Sequence, residues 1–347
     1  MLRQDVGVQH QERDRKLRPA TVSEAESRES QWSPSSYNAD MLTQSMTVAN
    51  RRNTITMKRH FQLLLAMGLA INAADAMATC SPLPGAEQMW SKTEVRWVFV
   101  SEMHGSNETP AAFLDLVCDA LARGRRVTVA LERPTSEQAA LDGILTAKDL
   151  MAAKAALLGQ QGWNGRVSGF LDGRGSEAML RLLLSLRELR HSYPDLSVAA
   201  FDAPPTGDAP GARDEALGHA LLALGAAKPR NTILILTGNY HAMQAPMSGY
   251  DLAAMFLPPK ERISLEVTDR GGESWSSDGA ACGPSKGSVL DKEAARPRGI
   301  YLDPSLAPYG KVDGILALGL ALTASAPAAG EPSPLPDCRI KFIQKLH

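Results

Sequence analysis

WVFVSEMHGSNETP, residues 97–110, carries an apolar run from Trp97 to Val100 that stops at Ser101-Glu102-Met103-His104-Gly105. The run does not alternate with polar residues, which is the pattern of a strand covered on both faces of a sheet. It delivers an acid and a histidine, Glu102 and His104, at its carboxyl end. Other stretches repeat the arrangement. RVTVALE (126–132) ends in Glu132, LSVAAFD (196–202) in Asp202 and RISLEVTD (262–269) in Asp269, while TILILTG (232–238) is followed by His241.

Helical segments separate these strands. Thr109 or Asn107 can cap a helix over 110–123 that Gly124 ends, and 135–158 reads as helical with a break near Gly143. Ser176 opens an amphipathic helix with Met179, Leu182, Leu183, Leu186 and Leu189 at helical spacing. RDEALGHALLALGA (213–226) is another helix, and SGYDLAAMF (248–256) a short one. GWNGRVSGFLDGRG (162–175) reads as a Gly-rich loop, and GILALGLALTAS (314–325) as a last strand. Strands alternating with helices imply βαβ units. The expected fold class is therefore α/β, a mostly parallel central sheet with helices on both faces.

In a parallel sheet the carboxyl ends of the strands share one edge, and ligands bind in the crevice outside it. Glu102, His104, Glu132, Asp202 and His241 are thus expected to converge there. Turns at strand ends are polar in any case, so one acid carries no weight; two histidines and three acids on one edge point to a site. His104 and His241 can act as general bases or ligate a divalent metal, and Glu102 and Glu132 can orient a histidine, ligate a metal or activate water. Gly105 and Gly238 are expected to supply tight turns with positive φ. Glu-x-His is not the helical His-Glu-x-x-His of zinc proteases; the Gly-x-Ser-x-Gly match at 283–287, GPSKG, does not stand between an apolar strand and a helical pattern as a nucleophile elbow requires, and the chain has no phosphate-binding Gly-x-x-x-x-Gly-Lys loop and no Gly-x-Gly-x-x-Gly after a strand.

SEMHGSNETP, VALERP, RDEALG and LTGNYHAM, in this order and at these strand ends, resemble the erythromycin esterase-like / ChaN / TraB / Tiki superfamily. DGRGSEAM (172–179) and DGILALGLALTASAP (313–327) are similar to its secreted ChaN-like branch, and the resemblance spans most of 95–327. It implies a site made of Glu102, His104, Glu132, Arg213 and His241. It also implies an ester or amide hydrolase in which His104, oriented by Glu102, activates water. Glu132 and His241 would complete the site, or His104 and His241 would hold a divalent metal. Arg213 would face the developing negative charge, with Tyr240, Asp202 and Arg174 as further substrate contacts. The alternatives are a haem-binding uptake protein, with Tyr240, His104 and His241 as candidate axial ligands, and a catalytically inactive binding module. Ser101 stands where the superfamily has glycine, a strained substitution if that turn requires positive φ.

The flanks differ in character. Residues 1–56 are polar and lack apolar periodicity, which reads as disorder or over-extended translation. Residues 57–78 have a basic start at Lys58-Arg59, a short apolar run and small-x-small cleavage patterns, the signature of a signal peptide. The α/β domain is expected over 79–327 and a Pro-rich arm over 328–347. These features predict export to the periplasm or the extracellular space, with no stable membrane span after cleavage. Cys80, Cys118, Cys282 and Cys338 all follow the signal, so disulfides are expected. Cys282 and Cys338 look like staples, and Cys118, within a helical pattern, like a small buried apolar residue.

Lys+Arg 37 against Asp+Glu 38 and aromatics at only 5% leave neither a basic field nor stacking platforms for nucleic acid. The expected partner is a small-molecule or peptide substrate. Trp163 and Trp275 read as anchors of Gly-rich loops on the core, Asp313 as a turn residue, and Asp172 with Arg174 as either an ion pair or a substrate contact.

Overall fold

The computed structural model describes residues 80–163, 172–277, 282–286 and 296–330. The N-terminal segment, the expected signal peptide at 57–78, the rest of the Gly-rich loop, and the C-terminal arm from 331 on with Cys338 lie outside the described residues. Among the described residues, no helix is long and apolar enough to cross a membrane.

The elements run α1 (Ala86–Trp90), β1 (Trp97–Glu102), α2 (Glu108–Ala122), β2 (Val127–Pro134), α3 (Gln138–Thr146), α4 (Leu150–Leu158), α5 (Glu177–Ser192), β3 (Ser197–Asp202), α6 (Ala212–Ala227), β4 (Thr232–Gly238), β5 (Arg262–Thr268), β6 (Glu273–Ser277), β7 (Cys282–Lys286), β8 (Gly299–Tyr301) and β9 (Gly314–Ala317). The main sheet has the order β3-β2-β4-β1-β5-β9-β8, and β6 pairs only with β7. All neighbours in the main sheet are parallel except β8 with β9. The chain therefore folds as an α/β protein with a mostly parallel sheet.

The lack of polar alternation in the strands has a direct cause in the packing. Val98 and Val100 of β1, Val127, Val129 and Leu131 of β2, and Leu234 and Leu236 of β4 share a core with Phe113 and Leu116 of α2, Leu141 and Ile144 of α3, and Leu182 and Leu186 of α5. The intervening residues Trp97, Phe99, Ala130, Ile233 and Ile235 pack on the opposite face with Leu217 and Leu221 of α6. Each of these strand side chains thus has an apolar cover, and each fully buried Val, Leu, Ile or Phe contributes about 1.5–3 kcal/mol of transfer free energy. Trp163 and Trp275 are both buried, as loop anchors should be.

Several local expectations need correction. The helical stretch over 135–158 breaks at 147–149, not at Gly143, which lies inside α3. Ala147 turns extended, and the Asp149 side chain accepts a hydrogen bond from the Ala152 N–H, restarting the helix as α4. Asn107, not Thr109, is the residue flanking α2, and its side chain makes no cap bond. SGYDLAAMF yields only a 3₁₀ turn at Ala253–Phe256. The strand begun at Gly314 ends at Ala317, and Gly319 follows at φ +74°.

Cys118 is the clearest correction, because it is joined to Cys80 in a disulfide that closes a separation of 38 residues. The bond pins the segment before α1 to α2. By restricting the unfolded chain, a loop of this length contributes about 3–4 kcal/mol. Cys118→Ser is expected to lower the unfolding free energy by that amount, measured by urea denaturation under oxidising conditions. Under reducing conditions the difference from wild type should vanish.

Candidate active site

Parallel register brings the strand ends together. Glu102, the last residue of β1, lies opposite Gly238, the last of β4, and β2 pairs with β4 on its other side. Glu132, Asp202 and the turn Asn239–Ala242 follow from the same geometry.

Glu132 is the hub of the cluster. Its Oε2 accepts hydrogen bonds from Thr237 Oγ1 at 2.7 Å and from the Gly238 N–H at 2.8 Å. Its Oε1 accepts from Arg174 at 3.0 Å and from Arg213 at 2.7 Å. The same two guanidinium groups reach Asp202 Oδ2, at 3.2 and 2.9 Å. Arg174 also grips Asp172 through its Nε, at 2.9 Å from Oδ2. Burial by itself would raise the Glu132 pKa, but its neighbours His241, His104, Arg174 and Arg213 together hold it well below the usual carboxylate value of 4.5.

The two histidines flank this hub differently. His104 Nδ1 is 2.9 Å from Glu102 Oε1, which leaves Nε2 facing Glu132 Oε2 at 3.7 Å, beyond hydrogen-bond reach. Burial pushes the His104 pKa down. The hydrogen bond and charge of Glu102, with the charges of Glu132 and Asp172, overcome this and hold it above 6.5. Burial raises the pKa of Glu102, whose Oε2 is buried without a hydrogen-bond partner. His241 Nδ1 lies 2.7 Å from Asp214 Oδ1, and its Nε2 lies 2.7 Å from Arg213 Nη1. A guanidinium can only donate, so Nε2 is the acceptor and Nδ1 carries the proton given to Asp214. His241 thus fixes Arg213 rather than presenting a free basic nitrogen.

Glycine matters at two positions. Gly105 has φ +89°, and a Cβ there would meet the Trp275 carbonyl oxygen at 2.0 Å. Gly238 has φ −62°, so the expectation of a left-handed turn there is wrong. Its need is for space, since a Cβ would meet His104 Nε2 at 3.2 Å and Glu132 Oε2 at 3.6 Å. Gly238→Ala is expected to leave the fold stable within about 1 kcal/mol while displacing the His104 ring and lowering turnover. Thermal unfolding read beside activity separates the two effects. Ser101 lies within β1, paired to Thr237 and Glu266, so no positive φ is asked of it.

Glu102, His104, Glu132, Asp202, Arg174, Arg213 and His241 are therefore one connected cluster. Asp172 and Arg174 pair with each other, and Arg174 also reaches the hub. Tyr240 and Asp269 stand outside the network. Tyr240 is 55% exposed, and Asp269 accepts from its own loop at Gly271. Asp214 was missed by sequence reasoning, although it follows Arg213 in the first turn of α6, where an acid also suits the helix dipole. So was the buried pair Arg133–Glu137, two hydrogen bonds of 2.9 and 2.8 Å to one carboxylate oxygen, which the Trp163 indole N–H also meets.

The donor set does not fit a divalent cation held by His104 and His241. Arg213 already donates to His241 Nε2, and two guanidinium groups occupy Glu132 Oε1, so a metal there would face two fixed positive charges. Among the described residues, no group of three or more His, Cys, Asp or Glu side chains is placed to hold a metal ion. Axial ligation of haem fits no better, because the Nε2 atoms of both histidines turn toward the same carboxylate, at 3.7 and 3.8 Å.

The sequence matches no protein-family model and no curated protein. Solved structures similar to the chain include a mutant of the erythromycin esterase EreC in its open conformation, at 11% identity over 61% of this chain and 81% of that one, with a TM-score of 0.45. A Bacillus cereus protein is similar at 9% identity over 70% of this chain and 92% of that one, with a TM-score of 0.46. ChaN of Campylobacter jejuni, in a structure with cofacially bound haem, is similar at 12% identity over 53% of this chain and 86% of that one, with a TM-score of 0.32.

Proposed function

We propose that the chain is an exported hydrolase that cleaves an ester or amide with water activated by His104. The observation that carries this reading is the Glu102–His104 pair. Glu102 Oε1 holds Nδ1 at 2.9 Å, so the Nε2 of a raised-pKa imidazole is the working nitrogen, facing Glu132, the carboxylate that also carries two guanidinium groups. The motif resemblance to erythromycin esterase-like proteins points the same way.

In this mechanism neutral His104 takes a proton from water at Nε2 as the water oxygen attacks the carbonyl carbon. Glu102 stabilises the imidazolium that forms. Negative charge gathers on the carbonyl oxygen and is met by Arg213, the more exposed of the two arginines, whose position is set by Glu132, Asp202 and His241. His104 then returns the proton to the departing alcohol or amine. Asp214 acts through His241 and is a positioning residue. The leader read at 57–78 supports export.

The test is hydrolysis of a panel of p-nitrophenyl esters and anilides by purified wild type and folded His104→Ala. Loss of turnover in the variant supports the assignment. Unchanged turnover of every hydrolysed substrate sinks it.

A further inference from the structure

The buried ion pair next to the hub also holds the loop that delivers Arg174. Arg133 follows Glu132 on β2, and Glu137 closes the 3₁₀ turn Thr135–Glu137 after it. Both are buried, at 1% and 3% exposure. Arg133 Nε and Nη2 donate to the Glu137 carboxylate at 2.9 and 2.8 Å. The same carboxylate accepts from the Gly162 N–H at 3.2 Å and from the Trp163 indole N–H at 3.1 Å. The Arg133 guanidinium lies 4.6 Å from the centroid of the Trp163 ring. Desolvation of two charges can exceed the gain from their attraction, so a buried ion pair is a poor source of stability. What this one supplies is direction, because guanidinium, backbone and indole donors all converge on one carboxylate.

From there, close backbone contacts lead to the site. A Cβ at Gly162 would run into Arg133 Nη2 and Glu137 Oε1. A Cβ at Gly175 would meet the Gly162 carbonyl oxygen at 2.5 Å and the Trp163 Cα at 3.2 Å, so residues 162–163 and 175 lie side by side. Gly173 has φ +90°, and a Cβ there would overlap the Gly105 backbone and come within 2.9 Å of the His104 carbonyl carbon. Gly105 is itself fixed, since its carbonyl accepts from the N–H groups of Trp275 at 2.9 Å and Ser325 at 2.8 Å. Between Gly173 and Gly175 stands Arg174, whose Nη1 reaches Glu132 Oε1 and Asp202 Oδ2. Asp172, one residue before Gly173, is thereby brought to His104, and its charge is among those that hold the His104 pKa above 6.5.

We propose that Arg133, Glu137 and Trp163 are positioning residues for Arg174 and Asp172, a buried latch that sets both against Glu132 and His104 without touching substrate. The part of these residues in turnover rests on the hydrolase reading; their hold on the site does not. Without the Glu137 carboxylate, Gly162 and Trp163 lose their acceptor and Gly175 loses the backbone it packs on. Arg174 and Asp172 then move away from the groups they serve. The His104 titration falls, because Asp172 no longer adds its charge to those of Glu102 and Glu132. Turnover falls with it, since a misplacement of about 1 Å caused by a distant substitution can cost about a hundredfold.

The experiment follows the His104 ring by NMR pH titration of the full chain, its resonance assigned by its absence in His104→Ala. Glu137→Gln and Trp163→Phe should both lower the His104 midpoint. Trp163→Phe should do so less, because it keeps the ion pair and loses only the indole N–H. Glu137→Gln leaves Arg133 buried without its counter-charge, so Arg133→Met/Glu137→Leu is measured beside it. This double variant removes both charges at once and is expected to stay folded by thermal unfolding, with the midpoint lowered all the same. Asp172→Asn alone should lower the midpoint, and combining it with the double variant should lower it little further, since both act through one loop. In the folded variants kcat/KM should fall about tenfold to a hundredfold. An unmoved midpoint in the folded double variant, or shifts that add in full to that of Asp172→Asn, would overturn the latch. The titration needs no turnover, so a chain that hydrolyses nothing fails the hydrolase reading and leaves this result standing.

Discussion

Glu132→Gln is expected to lower the unfolding free energy by about 3–5 kcal/mol and to remove hydrolysis with it. The side chain is nearly fully buried, at 5% exposure, and receives four hydrogen bonds, two from guanidinium groups. Glutamine keeps the volume, but its amide places donors against Arg174, Arg213, Thr237 or the Gly238 N–H, leaving buried donors without acceptors. Asp172 and Asp202 still hold Arg174, so the arginines lose part of their compensation rather than all of it. The pH dependence is a second signature. Glu132 has a folded-state pKa well below 4.5, so its contribution is fully present above that value and is lost as pH falls through the folded pKa. The gap between wild type and variant in urea denaturation should therefore be widest at neutral pH and close in strong acid. A gap that is small at neutral pH, or that grows in acid, would refute the hub.

The second large effect falls on His104. His104→Ala should reduce kcat/KM about a hundredfold to ten-thousandfold, the range for removing a general base. In wild type, kcat/KM should rise with pH as His104 deprotonates, with its inflection above 6.5. Glu102→Gln removes both the hydrogen-bonded charge and the largest raising influence on His104, so the inflection should move to lower pH while activity falls. The effect on folding has the opposite direction to that of Glu132. A histidine whose folded pKa is raised adds stability that is complete below 6.5 and is lost as pH rises through the folded pKa. An inflection that does not move in Glu102→Gln would mean that another group sets the rate.

Strand identity was legible because both faces of the sheet are covered. A residue pair such as Phe99 and Val100 has to be apolar whichever way each points, and that leaves an uninterrupted run in the chain. Helix edges were less legible. Asp149 restarts a helix that Gly143 was expected to break, since glycine costs only about 1 kcal/mol in a helix while a capping aspartate repays an orphaned N–H. The pairing of Cys118 with Cys80 carried no signal, because burial of a thiol and of a disulfide leave the same helical pattern.

By itself the sequence determined that parallel strands would deliver Glu102, His104, Glu132, Asp202 and His241 to one edge. Strand order and direction follow from apolar runs and short connections, and side chains at strand ends are carried along with them. Only the tertiary structure decided which of these groups touch. Arg213 on His241, Asp214 behind it and both arginines on Glu132 depend on angles and distances between elements far apart in the chain. Electrostatic partnership varies over a few ångströms, whereas residue spacing along the chain constrains position no more finely than the element that carries the residue.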